Sequence, residues 1–342
     1  MRLPLSSRLP YHMDRVEGMI VGGAVGDALG APIEFLNIAR IRELYGPTGI
    51  SDMAQTYSYG TVGSITDDTQ MTLFTLEGIL FAGEPAEVLP EIRDAYKRWY
   101  KGQMGEPYKG ASTLMDEPAF TSRRVPGTTC LSALAAGGWG RTSKPINDSA
   151  GCGGVMRVAP CAVLGPWGHD VFAIAAEAAA ITHGHPRGYL PAGFLALLLS
   201  RILERDTLLQ AINTACEELE RWPNHEETLG KVERAIRFWK QPGAPTPSKV
   251  EELGGGWVGD EALAIALYAA LTAQSFRDGV LVAVNHSGDS DSTGSIAGQI
   301  LGAYHGLYAI PDTWRNKVEA IETIGDLAFQ LWLKGWEAGK WQ

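Results

Sequence analysis

Two short acid-bearing runs hold most of the chemistry this sequence could perform. The first is Ser64-Ile65-Thr66-Asp67-Asp68-Thr69-Gln70. The second is His286-Ser287-Gly288-Asp289-Ser290-Asp291-Ser292-Thr293-Gly294. Each stands just before a helix-forming stretch. Thr and Asp favour helix N-caps there, because their side-chain oxygens accept from free backbone N–H groups. One cap needs one such residue, whereas Thr66, Asp67, Asp68 and Thr69 are consecutive. Adjacent carboxylates about 4 Å apart repel by about 4 kcal/mol at an effective dielectric near 20, before any counter-charge is counted. The run therefore reads as a cap alone or as a cap that also holds a cation. The Asp-x-Asp spacing of the second run offers carboxylates and hydroxyls as hard oxygen ligands, which suit magnesium, manganese or calcium. Asp289, Asp291 and Gly294 match the opening of an EF-hand loop, but its twelfth position should be Glu and is Ile300. Neither run completes a cage alone. Brought together, they could hold two hard cations about 3.5–4 Å apart.

Three further runs bear on function. In Gly22 to Phe35 (GGAVGDALGAPIEF) the dinucleotide spacing G-x-G-x-x-G is not met, so the glycines read as close helix packing or a tight bend. Asp27 and Glu34 are the ionisable groups within it. In GCGGVMR, Gly151 and Gly153 fit such a fingerprint, but Met156 occupies its third glycine position and Ser143 to Ser149 does not read as a strand. That leaves a tight turn or another kind of phosphate-binding loop. In Thr182-His183-Gly184-His185-Pro186 no third nitrogen or sulfur ligand accompanies the histidines, so the run reads as a capped helix end.

Helices must position these runs. Helical patterning covers Met71 to Phe81, Val171 to Ile181, Pro191 to Leu203, Leu208 to Trp222, Glu261 to Ser275 and Ser295 to Tyr308. Several of these are apolar on nearly every side, as buried helices are. Gly279 to Val284 reads equally as strand or helix. The fold class expected is all-α. Gly102 to Gly127 and Gln241 to Gly256 read as long, functional or partly ordered loops. No repeat at solenoid periods is seen. Because the early and late acidic runs need each other, one domain is expected over 1–342, with a core of about 14–335.

Composition narrows the class. Of 342 residues, 45% are apolar and 20% charged, ordinary globular values that allow a sizeable core. The net charge of −10 and the lack of a basic stripe argue against a nucleic-acid partner and agree with a site that gathers cations. The four cysteines form no C-x-x-C pair, which favours free thiols and a reducing cytoplasm. Met1 to Met13 has no apolar region of signal-peptide type. The longest apolar run, near Leu195 to Leu199, is short of the roughly 20 residues a membrane span needs, so no membrane partner is expected.

Taken together, GAVGDALGAPIEF, TDDT, GCGGVMR, THGHPRG, GWVGDEALAIALYAAL and GDSDSTGSIAGQILGAYHG resemble the ADP-ribosylglycohydrolase family, in family order from Gly18 to about Tyr308. The resemblance implies an all-α fold with a binuclear magnesium or manganese site in a cleft. It implies Thr66, Asp67, Asp68, Asp289, Asp291 and Ser292 as metal ligands. Glu34 matches a glutamate that activates water or gates the site, with Asp67 and Asp291 as other candidate proton acceptors. Gly151, Gly153, Gly154 and Met156 match the stretch that approaches the diphosphate, and His183 the histidine that faces the substrate. The reaction implied is water attack at the anomeric carbon of the distal ribose. The acceptor expected first is ADP-ribosylated arginine on a protein, with a small ADP-ribosyl metabolite, a nucleotide or a nucleic-acid adduct as alternatives. A non-enzymatic relative resembling lens crystallins is a further, weaker reading. Two departures stand out. Some members carry a carboxylate where this chain has Thr128, and others carry Asn where it has Cys152.

Overall fold

Helix α1 (Tyr11–Gly30) places Gly18, Gly22, Gly26 and Gly30 at a spacing of four, and α14 (Ser290–His305) does the same with Ser290, Gly294, Gly298 and Gly302. Residues four apart share one helix face. The two helices lie antiparallel with these faces together: Gly18 meets Gly302, Gly22 meets Gly298, Gly26 meets Gly294 and Gly30 meets Ser290. A Cβ on any of the four α1 glycines would land on backbone atoms of the opposite helix. The backbones can approach this closely only because no side chain intervenes.

The computed structural model describes residues 9–56, 59–137, 139–168, 170–337 and 339. Between α1 and α14 come α2 (Ile38–Tyr45), α3 (Asp67–Phe81), α4 (Val88–Gln103), α5 (Pro118–Thr121), α6 (Thr128–Ala135), α7 (Val171–Ala180), α8 (Pro186–Leu203), α9 (Leu208–Leu219), α10 (Glu226–Trp239), α11 (Pro247–Glu251), α12 (Gly259–Thr272) and α13 (Phe276–Val284). Helices α15 (Asp312–Arg315) and α16 (Ile321–Glu337) follow. Among the described residues extended pairing is limited to isolated bridges, Gln55 with Val62, Arg141 with Lys144 and Gly151 with Val258. The fold is all-α, as the patterning predicts.

Helix α14 is buried from Ser290 through Ala303, and α1 from Gly18 through Gly30. Such helices are enclosed on all sides. Helices α12 and α13 pack on α14, α3 packs on α4 and α16, and α7 and α9 pack on α8. Among the described residues, no helix is long and apolar enough to cross a membrane. All four cysteines are free thiols.

The differences from the sequence reading have local causes. Helix α3 starts at Asp67 rather than Met71, and α14 at Ser290 rather than Ser295. Both acidic runs therefore lie within the first turns, not ahead of them. Helix α8 starts at Pro186, so Pro191 lies inside it rather than at its head. Proline is tolerated at Pro186 because the first-turn N–H has no intrahelical partner. His185 caps this helix, its Nδ1 lying 3.1 Å from Arg187 N. Thr182 to Pro186 is thus the junction between α7 and α8. Gly279 to Val284 is helical, within α13. The two long loops contain α5 and α11.

Candidate metal and catalytic site

The glycine ladder ends at Gly30 against Ser290, and there the acids gather. Asp289 is the N-cap of α14, its Oδ1 accepting from Ser292 N at 3.3 Å. Just past α1, Glu34 reaches the same place. Carboxylate oxygens of Glu34, Asp289 and Asp291 lie within 4.8 Å of one another. Asp67 and Asp68 enter from the first turn of α3, and each lies within the electrostatic reach of Asp291. Two helix starts far apart in the chain therefore do converge.

Their environment is hostile to bare carboxylates. Asp67, Asp68, Asp289 and Asp291 are buried, and none forms an ion pair among the described residues. Burial pushes Asp68 and Asp291 well above the carboxylate range, with the charges of Asp291 and Asp289 respectively adding to it. Burial likewise lifts Asp289. It raises Asp67 to about 8, against the lowering pull of the Gly127 N–H that donates to Oδ2 at 3.1 Å. Glu34 rises for the same first reason, reinforced by Asp291, Asp289 and Asp67.

Two buried oxygens, Asp68 Oδ1 and Asp291 Oδ1, have no hydrogen-bond donor. Orphaned buried acceptors are rare and costly. Oxygen-rich donors with orphaned, acceptor-only atoms fit hard divalent cations. Thr66 is engaged locally, its hydroxyl accepting from Asp68 N at 3.1 Å and lying 3.5 Å from Asp68 Oδ2. Ser292 Oγ faces Cys152 Sγ at 3.6 Å and Met156 Sδ at 3.9 Å. Cys152 Sγ donates to Asp289 Oδ2 at 2.8 Å, so a thiol stands at the edge of the acid cluster.

The GCGGVMR segment forms a short 3-10 turn over Cys152–Gly154, without a preceding strand. It is pinned to the segment before α12: Cys152 N donates to Trp257 O at 3.1 Å, and Gly259 N to Ala150 O at 2.9 Å. That segment also holds the head of α14, because Asp289 N donates to Gly255 O at 2.9 Å. Gly151 and Gly153 flank the His183 ring; a Cβ on Gly151 would lie 3.3 Å from His183 Nε2. Gly154 packs against the Gly188 carbonyl, and Met156 is buried, its carbonyl accepting from Gln299 Nε2 at 2.6 Å. His183 bonds none of the cluster carboxylates among the described residues. Burial, then the Arg157 charge, lowers it to about 3, so it is neutral.

Some contributors were not legible in advance. Asp27 lies wholly inside and caps α3 from α1: its carboxylate accepts from Thr66 N at 3.0 Å, Thr69 N at 3.1 Å and the Thr69 hydroxyl. Tyr59, with the Arg124 guanidinium 4.7 Å above its ring, feels the charges of Asp27, Asp291, Glu34 and Asp67, after the burial that raises it. Phe35 follows Glu34 with φ 66°, a left-handed conformation uncommon for a bulky residue. Its ring stacks on Trp257 at 5.4 Å, and both stay open to solvent at 63% and 43%. Thr128, at the position where some family members carry a carboxylate, is exposed, and the first turn of α6 holds no acid.

A helical fold with paired acidic helix starts can be compared with known proteins, and residues 8–339 match the family described as ADP-ribosylglycohydrolase. The chain belongs to the ADP-ribosylglycohydrolase family. The names of the family and of its curated relatives are those of ADP-ribosyl hydrolases, which supports an enzyme. Among curated relatives, the chain is 28% identical over 319 residues to the ADP-ribosyl-[dinitrogen reductase] glycohydrolase of Rhodospirillum rubrum, covering 91% of this chain and 92% of that one. It is 25% identical over 326 residues to the ADP-ribosylarginine hydrolase Tri1 of Serratia proteamaculans, covering 93% of this chain and 79% of that protein. A solved structure titled "ADP-ribosylglycohydrolase-related protein complex" superposes with a TM-score of 0.66 at 28% identity, covering 96% of this chain and all of that one. These likenesses run nearly the full length of this family member.

Proposed function

We propose that this chain removes ADP-ribose from modified arginine, with protein-linked ADP-ribosyl arginine as the first substrate and small ADP-ribosyl conjugates second. The observation that carries the reading is the meeting of buried carboxylates from α3 and α14 beside Glu34, with Asp68 Oδ1 and Asp291 Oδ1 left without a hydrogen-bond donor. Thr66, Asp67, Asp68, Asp289, Asp291 and Ser292 would hold two magnesium or manganese ions. Such ions supply a polarised water and an anchor for sugar hydroxyls. With its neighbours' charges offset by cations, Glu34 would be ionised and would accept the proton of the attacking water at its carboxylate, with Asp67 and Asp291 as alternates. The same carboxylates stabilise positive charge that develops on the ribose ring, as carboxylates do in glycoside hydrolysis. Gly151, Gly153 and Gly154 let the turn backbone come near the diphosphate without a side chain in the way. Met156 supports that turn from behind, and His183 faces the diphosphate beside it. The exposed Phe35–Trp257 pair offers an aromatic face at the rim, suited to a base. We read the whole chain as one domain and its free thiols as those of a cytoplasmic protein.

Arginine is favoured by the relative named as an ADP-ribosylarginine hydrolase. The test is a panel of arginine-, serine- and nucleobase-linked ADP-ribose conjugates, assayed with Mg²⁺, with Mn²⁺ and with EDTA. ADP-ribose should be released from the arginine conjugate with either ion and not with EDTA. Release from none of the conjugates with either ion would overturn the reading, and undiminished release in EDTA would overturn the metal site.

A further inference from the structure

Arg157 is wholly buried and has no carboxylate partner among the described residues. Its charge is met in other ways. The guanidinium lies 4.2 Å above the Tyr96 ring, and Nη2 donates to the Ala178 carbonyl at 3.1 Å, at the C-terminal end of α7. Aromatic faces and helix C-termini both stabilise cations. The same Nη2 donates to Thr182 Oγ1 at 2.8 Å, and Thr182 Oγ1 lies 2.8 Å from His183 Nδ1.

Donor and acceptor rules fix the proton in this chain. A guanidinium only donates, so Thr182 must accept from it. The hydroxyl then has its own proton to give, and His183 Nδ1 is within reach. We infer that Thr182, oriented by Arg157, locks His183 in the tautomer that carries its proton on Nε2. His183 is then a hydrogen-bond donor toward the Gly151–Gly153 turn rather than a base. Its partner is an acceptor oxygen of the bound substrate, of the kind a diphosphate presents. No protein group among the described residues accepts from Nε2. The other acceptor for the Thr182 proton is Cys130 Sγ, which Thr182 also influences. A thiol sulfur is a weak acceptor beside an imidazole nitrogen, so the proton goes to His183. Had it gone to Cys130, Nδ1 would carry the histidine proton instead.

The tautomer does not rest on the hydrolase reading; its use toward a diphosphate does. The test is long-range ¹H–¹⁵N correlation on the full chain with ¹⁵N-labelled histidine, His183 being assigned from the signals lost in His183→Gln. The wild type should show the Nε2–H pattern without averaging. Thr182→Val should show averaged shifts from exchange between both tautomers, and Thr182→Ser should restore the wild-type pattern. Arg157→Met should resemble Thr182→Val. An Nδ1–H or averaged pattern in the wild type, or an unchanged pattern in Thr182→Val, would overturn the inference. If a variant does not fold, the wild-type spectrum alone still decides. With ADP-ribosyl arginine, Thr182→Val should raise KM roughly tenfold, with kcat nearly unchanged, for a weakened bond to a charged oxygen. An unchanged KM would remove the diphosphate role and leave the tautomer standing. Absence of turnover in the wild type would count against the hydrolase reading and not against the tautomer.

Discussion

Gly26→Ala and Gly230→Ala are the same change in the interior of two helices, and they should move stability in opposite directions. Alanine is favoured over glycine in a helix interior by about 1 kcal/mol. At Gly230, on the exposed face of α10, a Cβ meets nothing within 4 Å, so that gain should appear nearly whole. At Gly26 the Cβ would fall on the Gly294 carbonyl of α14. Backbone cannot rotate aside as a side chain can, so the helices must part by on the order of 1 Å to regain ordinary separation. Overpacking of this kind costs up to about 3 kcal/mol, which leaves a net loss of about 2 after the propensity gain. Thermal midpoints move roughly 2–4 °C per kcal/mol in domains of 150–250 residues, so Gly26→Ala should melt several degrees lower and Gly230→Ala slightly higher. The separation is transmitted to the site, because Asp27 and Asp289 ride on the two helices. A displacement of that size can cost about 100-fold in turnover. Calorimetry and a hydrolysis assay on both variants check this. A Gly26→Ala protein as stable and as active as Gly230→Ala would refute the account of the helix contact.

The remaining expectations concern charge. Burial places the folded pKa of Asp67 near 8, above its value in the unfolded chain. Such a group favours the folded state fully below the unfolded pKa, and that contribution is lost as pH rises through the folded value. In EDTA the midpoint should therefore fall between pH 4 and 8, and the increase produced by Mg²⁺ should grow over the same range; a flat cation shift across a pH series would contradict this. Asp67→Ala and Asp291→Ala should each abolish turnover while keeping the helical circular dichroism spectrum, and full activity in either would defeat the ligand assignment. Arg98 donates to Glu77 at 2.9 Å with both side chains nearly buried. Arg98→Met should lower stability by about 3 kcal/mol by leaving the buried Glu77 charge without a counter-ion, with only the Ser112 hydroxyl still donating to it, a loss read by urea titration.

The helical class was legible because the helices are long and their apolar faces are continuous. Asp67, Asp68, Asp289 and Asp291 were legible as candidates because acids and hydroxyls are crowded where one cap residue would serve. The starts of α3 and α14 were placed too late, since the apolar pattern begins only after the polar first turn. Helical patterning places the head of α8 at Pro191, whereas the start at Pro186 is set by the His185 cap. Asp27 was seen as an acid but not as a cap, because its partners lie 39 and 42 positions away. The Arg157 chain was hidden for the same reason: its contacts with Thr182 and Ala178 are tertiary, and nothing at GCGGVMR announces them. Phe35 gives no sign in sequence that its backbone turns left-handed.

The antiparallel pairing of α1 with α14 has a consequence for how the chain comes to be made. Asp14 at the head of α1 accepts from Leu307 N, 293 positions further along. During synthesis the N-terminal helix emerges long before its mate, with its glycine face bare. The acidic cluster cannot be completed until Asp289 and Asp291 at the head of α14 have left the ribosome, and contacts of such separation form slowly. A ribosome stalled before α14 would therefore display α1 and α3 with Asp67 and Asp68 lacking the two aspartates that face them in the folded chain.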